Sequence, residues 1–164
     1  MFEKRNDPLK ISLILLKFFY PLFFIFQISN FSIKNNEGKY EHLKKPKYII
    51  NSLLLPLMWG IVNMISSITL MFSHSHYKKN FFLAYNAQLI AQGFGYLLFF
   101  KYQSLFFSFI IKTVQSLFMI VSIKSVTNKK NVIRLFLGIH LVWIIYEIYI
   151  IINFWSLNKK LDKR

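Results

Sequence analysis

The most constraining feature of this sequence is a series of five apolar stretches separated by short clusters of basic residues. Each stretch can cross the hydrocarbon core of a membrane, which takes about 17 to 25 apolar residues in a helix. A chain in lipid must satisfy its own backbone hydrogen bonds, and these stretches show no apolar–polar alternation, so we expect helices and not a barrel. The predicted spans are residues 11–29, 49–72, 81–100, 104–123 and 132–155.

The composition favours one all-α membrane domain over residues 1–164, a polytopic bundle of five transmembrane helices. Hydrophobic residues make up 55% of the chain and charged residues 16%, so the charges must lie between the spans. Intrinsic disorder is excluded because 19 Phe and 9 Tyr are too many aromatic residues for a chain without a buried core. We expect no nucleic-acid partner, since the spans break up any continuous basic face. Without cysteine there is no thiolate nucleophile and no cysteine metal site.

The basic residues also bear on orientation. An odd number of spans puts the termini on opposite sides, with nine basic residues on the N-terminal side and ten on the C-terminal side. By the positive-inside rule this excess of one favours a cytosolic first loop and C-terminus. We therefore expect an integral, multi-pass protein whose first partner is the lipid bilayer. The charges serve topology and lipid headgroups, or alternatively a specific anionic partner.

Several polar and tryptophan side chains lie at one depth within the spans. With about 1.5 Å of rise per residue, this layer lies about 12 to 21 Å from the C-terminal side of the membrane. Polar residues inside spans are costly and mark functional sites. We interpret the layer as a ligand pocket between helices. The alternative is hydrogen bonding between helices. The candidate ligand-binding residues are Trp59, Asn63, Gln88, Gln92, His140, Trp143 and Glu147.

Two charged residues of this layer form a separate hypothesis. Lys112 and Glu147 lie at equal depth, and either charge alone inside the membrane costs about 2.5 to 3.5 kcal/mol. We therefore predict an intramembrane ion pair between them. In the alternative, the Lys112 side chain extends toward the C-terminal side of the membrane, as we expect for Lys17 toward the N-terminal side.

The third span carries a stripe of small residues, Ala84, Ala87, Ala91 and Gly95. Small residues at four-residue spacing let two helix backbones approach closely. The stripe therefore predicts a close helix contact, either within the bundle or in a homodimer through span 3.

Taken together, the motifs from Tyr40 to Asn158 resemble the translocator protein family, also called the tryptophan-rich sensory protein or TspO/MBR family. The first-loop motif of that family is similar to Tyr40, Leu43, Lys45 and Pro46, and its next tryptophan matches Trp59, thirteen residues after the proline. Further matches in the third span, in the fifth span and at the C-terminal end are Gln88, Leu89, Phe99, Phe100, Trp143, Trp155, Leu157 and Asn158.

The chain also departs from the family pattern. The family's second-span tyrosine is Asn63 here, its third-span asparagine and tryptophan are Gln92 and Gly95, and a fifth-span alanine is Glu147. A C-terminal sterol-recognition pattern is missing, because no basic residue follows the last tyrosine before Lys159. We interpret the chain as a divergent member whose ligand differs.

The resemblance implies a membrane receptor, sensor or translocator that binds porphyrins or other flat hydrophobic molecules, sterols in some members, inside the helix bundle. Trp59 and Trp143 would stack on the ligand, and His140 would orient a polar group or, alternatively, ligate a haem iron. No cofactor is required, with porphyrin or haem expected as ligand, and we expect no metal site.

Two alternatives stay open at this point. Some members of the family resemble light-dependent porphyrin-degrading proteins. The sequence, however, shows no nucleophile, metal cluster or water-accessible proton-transfer dyad, so we expect no catalytic residue and favour a binding protein over an enzyme. The chain could also be a structural or interaction protein that kept the fold and lost the ligand.

Overall fold

The structure is a computed structural model, which describes residues 8–34, 42–47, 54–71, 79–126 and 131–159. Within those ranges the chain forms five α-helices and no strand, which confirms the predicted all-α helical bundle. The helices are α1 (Pro8–Ile33), α2 (Leu54–Met71), α3 (Lys79–Tyr96), α4 (Leu105–Ser125) and α5 (Asn131–Leu157).

Each helix overlaps one of the predicted spans. By length and hydropathy, three stretches of the described chain are able to cross a membrane, Ile11–Ile33, Leu105–Ser125 and Asn131–Leu157, and Leu57–Met71 is a shorter apolar helix. The helix α3 is the least apolar of the five, because it carries Lys79 and several amide side chains, including Gln88 and Gln92. The ends of the predicted second span, residues 49–53 and 72, lie outside the described residues.

The helices are arranged as a closed ring. Helix α1 packs against α2 and α3, α3 packs against α4, α4 against α5, and α5 returns to α2. The order around the ring is therefore α1, α2, α5, α4, α3. Helix α1 is the helix least buried by the rest of the bundle, since many of its large apolar side chains are exposed. Such exposure is expected for a helix that faces lipid.

Two apolar clusters fill the ends of the ring and leave the polar layer between them. The cluster on the N-terminal side includes Phe81, Met119 and Ile144, and the cluster on the C-terminal side includes Phe99 and Ile150. Because Ile144 and Ile150 of α5 belong to different clusters, the helical turn between them lies at the level of the polar layer.

A π-helical turn, Leu97–Lys101, continues α3 directly. The backbone N–H of Tyr102 donates to the carbonyl of Leu97, at 3.1 Å, which is the five-residue spacing of a π turn. The chain then reverses at Gln103, a non-glycine residue with φ of 52°. The turn packs against α1, so the C-terminal end of α3 contacts the first helix.

Candidate ligand-binding site

A buried ion pair lies in the middle of the ring. The Nζ atom of Lys112 on α4 lies 2.7 Å from Oε2 of Glu147 on α5, and the two side chains are only 2% and 8% exposed. The ammonium also lies 4.5 Å from the ring centroid of Tyr96, a cation–π contact. Lys112 thus directs its charge into the bundle, at the depth at which the sequence predicts a pair with Glu147.

Gly95 on α3 provides the space for this lysine. A Cβ atom at Gly95 would lie 2.9 Å from Cε and 3.4 Å from Cδ of Lys112. The carbonyl of Gly95 accepts a hydrogen bond from the Ser108 hydroxyl of α4, at 3.2 Å. Helices α3 and α4 therefore approach closely where the lysine crosses between them.

The other small residues of α3 face the bundle as well. Ala84 and Ala91 are buried and Ala87 is half-buried in the single chain. Three of the four positions in the stripe are thus covered by the chain's own helices, which is the packing alternative of the sequence prediction. The homodimer through span 3 stays a prediction.

The amide side chains of the polar layer bond to one another. Nε2 of Gln92 donates to Oδ1 of Asn63 and to the hydroxyl of Tyr96, both at 3.0 Å. Nε2 of Gln115 donates to Oε1 of Gln88, at 3.3 Å. These contacts join α2 to α3 and α3 to α4, so part of the polar layer serves helix association.

His140 belongs to a second group of hydrogen bonds. Its Nδ1 atom bonds to the hydroxyl of Ser66 on α2. The backbone carbonyl of Ser66 accepts a hydrogen bond from the hydroxyl of Tyr85 on α3, at 3.0 Å. The histidine therefore connects α5 to α2, and it lines none of the cavities described below.

An inner cavity of about 40 Å³ lies beside the ion pair. Its walls include Trp59, Gly95, Lys112 and Glu147, with apolar and aromatic side chains around them. Oε1 of Glu147 and the indole N–H of Trp59 are buried without a hydrogen-bond partner among the described residues. A cavity of this size holds a few water molecules at most, since each needs about 10 to 15 Å³ by this measure.

A much larger cleft of about 900 Å³ opens between α1 and α2. Aromatic and aliphatic side chains of α1, including Tyr20 and Phe23, form one wall, and Trp59, Asn63 and Tyr96 form the other. The cleft lies within the range of about 300 to 1,000 Å³ that small-molecule sites occupy. Trp59 and Tyr96 both line the two cavities.

The predicted ligand-binding residues therefore divide into groups. Trp59 and Asn63 line the cleft and Glu147 lines the inner cavity. Gln88, Gln92 and His140 are buried in hydrogen bonds between helices, as described above. Trp143 is buried against Tyr146, with ring centroids 5.2 Å apart, and lines none of the cavities.

The described part of the first-loop motif packs against the C-terminal end of α5. Leu43 is buried in the apolar cluster that surrounds the inner cavity, Lys45 is exposed and Pro46 is half-buried. Asn158 holds the neighbouring backbone in place. Its Oδ1 accepts from the N–H of Lys44 at 2.9 Å, and its Nδ2 donates to the carbonyl of Lys44 at 3.0 Å. Tyr40 lies outside the described residues.

Sequence reasoning missed several members of the polar layer. Gln115 and Tyr96 lie at the same level as the predicted residues, and Ser66 follows Trp59 by seven positions on one helix face. The depth count applied to every polar residue would have found Gln115 but not Ser66, which lies about 26 Å from the C-terminal side by the same count, outside the layer. Tyr96 carried no such signal, because a tyrosine near the end of a span is an ordinary interfacial residue.

Comparison with models of protein families gives a match. The family model described as TspO/MBR family matches residues 15–156, which is most of the chain. No curated protein matches. The match includes all five helices, at least in part, and the whole polar layer.

Proposed function

This chain belongs to the TspO/MBR family, and we propose that it is a membrane receptor for a flat hydrophobic molecule such as a porphyrin. Family membership and the long apolar helices make it an integral membrane protein. The proposed ligand site is the cleft between α1 and α2, with Trp59 as the stacking surface.

The position of Trp59 in the wall of the cleft is the observation that carries this proposal. The indole lies 5.0 Å from the ring of Tyr96 and 5.7 Å from the ring of Phe100, measured between centroids, so neighbouring rings hold it in place. Its half-buried position leaves part of the side chain turned to the cleft. A planar ligand stacked on it would gain about 0.5 to 1.5 kcal/mol beyond burial.

The size of the two cavities favours the cleft over the interior of the bundle. The inner cavity of about 40 Å³ is filled on one side by the Lys112–Glu147 pair. A porphyrin in that position would have to displace a buried ion pair. The cleft of about 900 Å³ requires no such displacement, and its opening between two helices lets a hydrophobic molecule enter from the lipid.

Two tryptophan variants test the proposal. We expect Trp59→Leu to weaken the binding of protoporphyrin IX about three- to tenfold, because the stacking surface is lost. Trp143→Leu is the matched control, since this residue is buried away from the cleft, and it should leave the affinity within about twofold. The measurement is the shift of the porphyrin absorption band on titration into protein in lipid nanodiscs, with empty discs subtracted.

Equal affinities of the two variants would contradict the proposed site. The signal comes from the porphyrin, so the loss of a tryptophan does not change the readout itself. Cholesterol, measured by competition with the porphyrin, tests whether a sterol occupies the same cleft.

One observation favours a second function, that of a structural or interaction protein. Gln88, Gln92 and His140, which the sequence predicts to orient a ligand, bond to side chains of neighbouring helices. A bundle stabilised in this way needs no ligand. If the wild-type protein binds neither protoporphyrin IX nor cholesterol in nanodiscs, this second function is the better account.

A further inference from the structure

Two residues that line the inner cavity carry buried polar atoms with no protein partner. Oε1 of Glu147 and the indole Nε1 of Trp59 form no hydrogen bond with any residue that the structure describes. Buried polar groups in proteins are almost always hydrogen-bonded, either to the protein or to ordered water. One of the two atoms is an acceptor and the other is a donor, so together they indicate a small molecule that can both donate and accept.

Lys112 supplies a third polar group to the same cavity. Its ammonium has three N–H donors, and one of them bonds to Oε2 of Glu147 at 2.7 Å. The ring of Tyr96 lies 4.5 Å from Nζ and can engage a second donor. Among the contacts of the described residues, this leaves at least one N–H of the ammonium for a further acceptor.

The volume and the charges of the cavity select its occupant. About 40 Å³ holds one or a few water molecules and no larger ligand, since each water needs about 10 to 15 Å³. A cation would be repelled by the ammonium of Lys112, and an anion would be repelled by the carboxylate of Glu147. Cavities that stay empty in proteins are apolar, whereas this one is bordered by two charged groups. A neutral molecule with donors and an acceptor therefore fits best.

We propose that the inner cavity is a binding site for ordered water. The water donates a hydrogen bond to Oε1 of Glu147 and accepts hydrogen bonds from the ammonium of Lys112 and the indole N–H of Trp59, directly or through a second water. Buried water typically has two to four polar partners, and this site offers three. The water satisfies the second oxygen of the carboxylate and links the ion pair to Trp59. It binds whether or not a ligand occupies the cleft.

The indole N–H groups make this site measurable by NMR, because the chain has only 3 tryptophans. In protein with isotope-labelled tryptophan in lipid nanodiscs, we expect a cross-peak between water and the indole N–H of Trp59. A rotating-frame experiment separates direct contact from proton exchange by the sign of the cross-peak. Trp143 is the internal control, since its indole Nε1 is also buried and unpaired among the described residues but lines neither cavity. It should show no cross-peak.

A charge-free variant tests what holds the water. Lys112→Met combined with Glu147→Leu should lose the cross-peak of Trp59, because an apolar cavity of this size stays dry. Lys17→Met is the matched control, since it removes a half-buried lysine that lines neither cavity, and it should keep the cross-peak. An unchanged indole resonance of Trp143 in each variant shows that the bundle is folded.

A crystal structure of the wild type grown in lipid gives a second measurement that needs no variant. We expect density for a water within hydrogen-bond distance of Oε1 of Glu147. A cavity without ordered water would overturn the proposal, because any cross-peak would then come from the exchanging ammonium protons of Lys112. The proposal also fails if wild-type Trp59 shows no cross-peak, if Trp143 shows an equal one, or if the cross-peak survives in the charge-free variant.

Discussion

The buried ion pair supports the sharpest prediction on stability. We expect Lys112→Met and Glu147→Leu each to lower the free energy of unfolding by about 3 to 5 kcal/mol, because each leaves one charge buried without its partner. The remaining charge would stay buried, since Nζ of Lys112 and Oε2 of Glu147 lie 2.7 Å apart and the two side chains are only 2% and 8% exposed. The double variant removes both charges at similar volume and should unfold within about 1 kcal/mol of the wild type, or be more stable.

The assay is the free energy of unfolding of the four proteins in mixed detergent micelles, from which the coupling between the two positions follows. Lys17→Met is the control for loss of a lysine inside a span. That lysine is half-buried and lies 5.5 Å from the Phe82 ring without an ion pair among the described residues. Its loss should change the free energy of unfolding by less than about 1 kcal/mol. If the double variant loses as much free energy of unfolding as the two single variants together, the two positions are not coupled and the reasoning is refuted.

Two further predictions concern packing, each with a control of the same residue type. Asn158→Ala should increase proteolysis of the first loop and lower the free energy of unfolding by about 1 to 3 kcal/mol, since it removes the bonds to the loop backbone. Asn153→Ala removes only an exposed bond within α5 and should lower the free energy of unfolding by less than about 1 kcal/mol. Gly93→Ala should raise the melting temperature less than Gly138→Ala does, because its Cβ would lie 2.6 Å from Cδ1 of Ile28 and that side chain must shift. Gly138→Ala, with nothing within 4 Å of the new atom, should leave the melting temperature unchanged or raise it. Equal effects within either pair would contradict these contacts.

The helices and the depth of the polar layer were predictable because both depend on local rules. An apolar stretch of sufficient length becomes a helix in lipid whatever its neighbours are. Lys112 and Glu147 could be paired from the sequence, since equal depth and the high cost of a lone charge leave few other partners. The ring of Tyr96 next to the ammonium was not predictable, because it depends on how α3 rotates against α4.

The cleft and the loop closure depend on contacts that no local pattern records. Asn158 bonds to the backbone of Lys44, 114 positions away, and backbone atoms carry no sequence signal. The space between α1 and α2 depends on the tilt and separation of two helices, so Trp59 and Trp143 could not be told apart by depth. The structure places the first in the wall of the cleft and the second away from it.

The central claim is that the ligand lies in the cleft between α1 and α2, and filling that cleft tests it most directly. Gly60 lines the cleft and Gly138 does not, and a Cβ at either position would meet nothing within 4 Å. Both glycines therefore accept a larger side chain without a clash at Cβ. We predict that Gly60→Trp lowers the affinity for protoporphyrin IX at least about tenfold and that Gly138→Trp leaves it within about twofold. Unchanged binding by Gly60→Trp would place the ligand elsewhere and contradict the account.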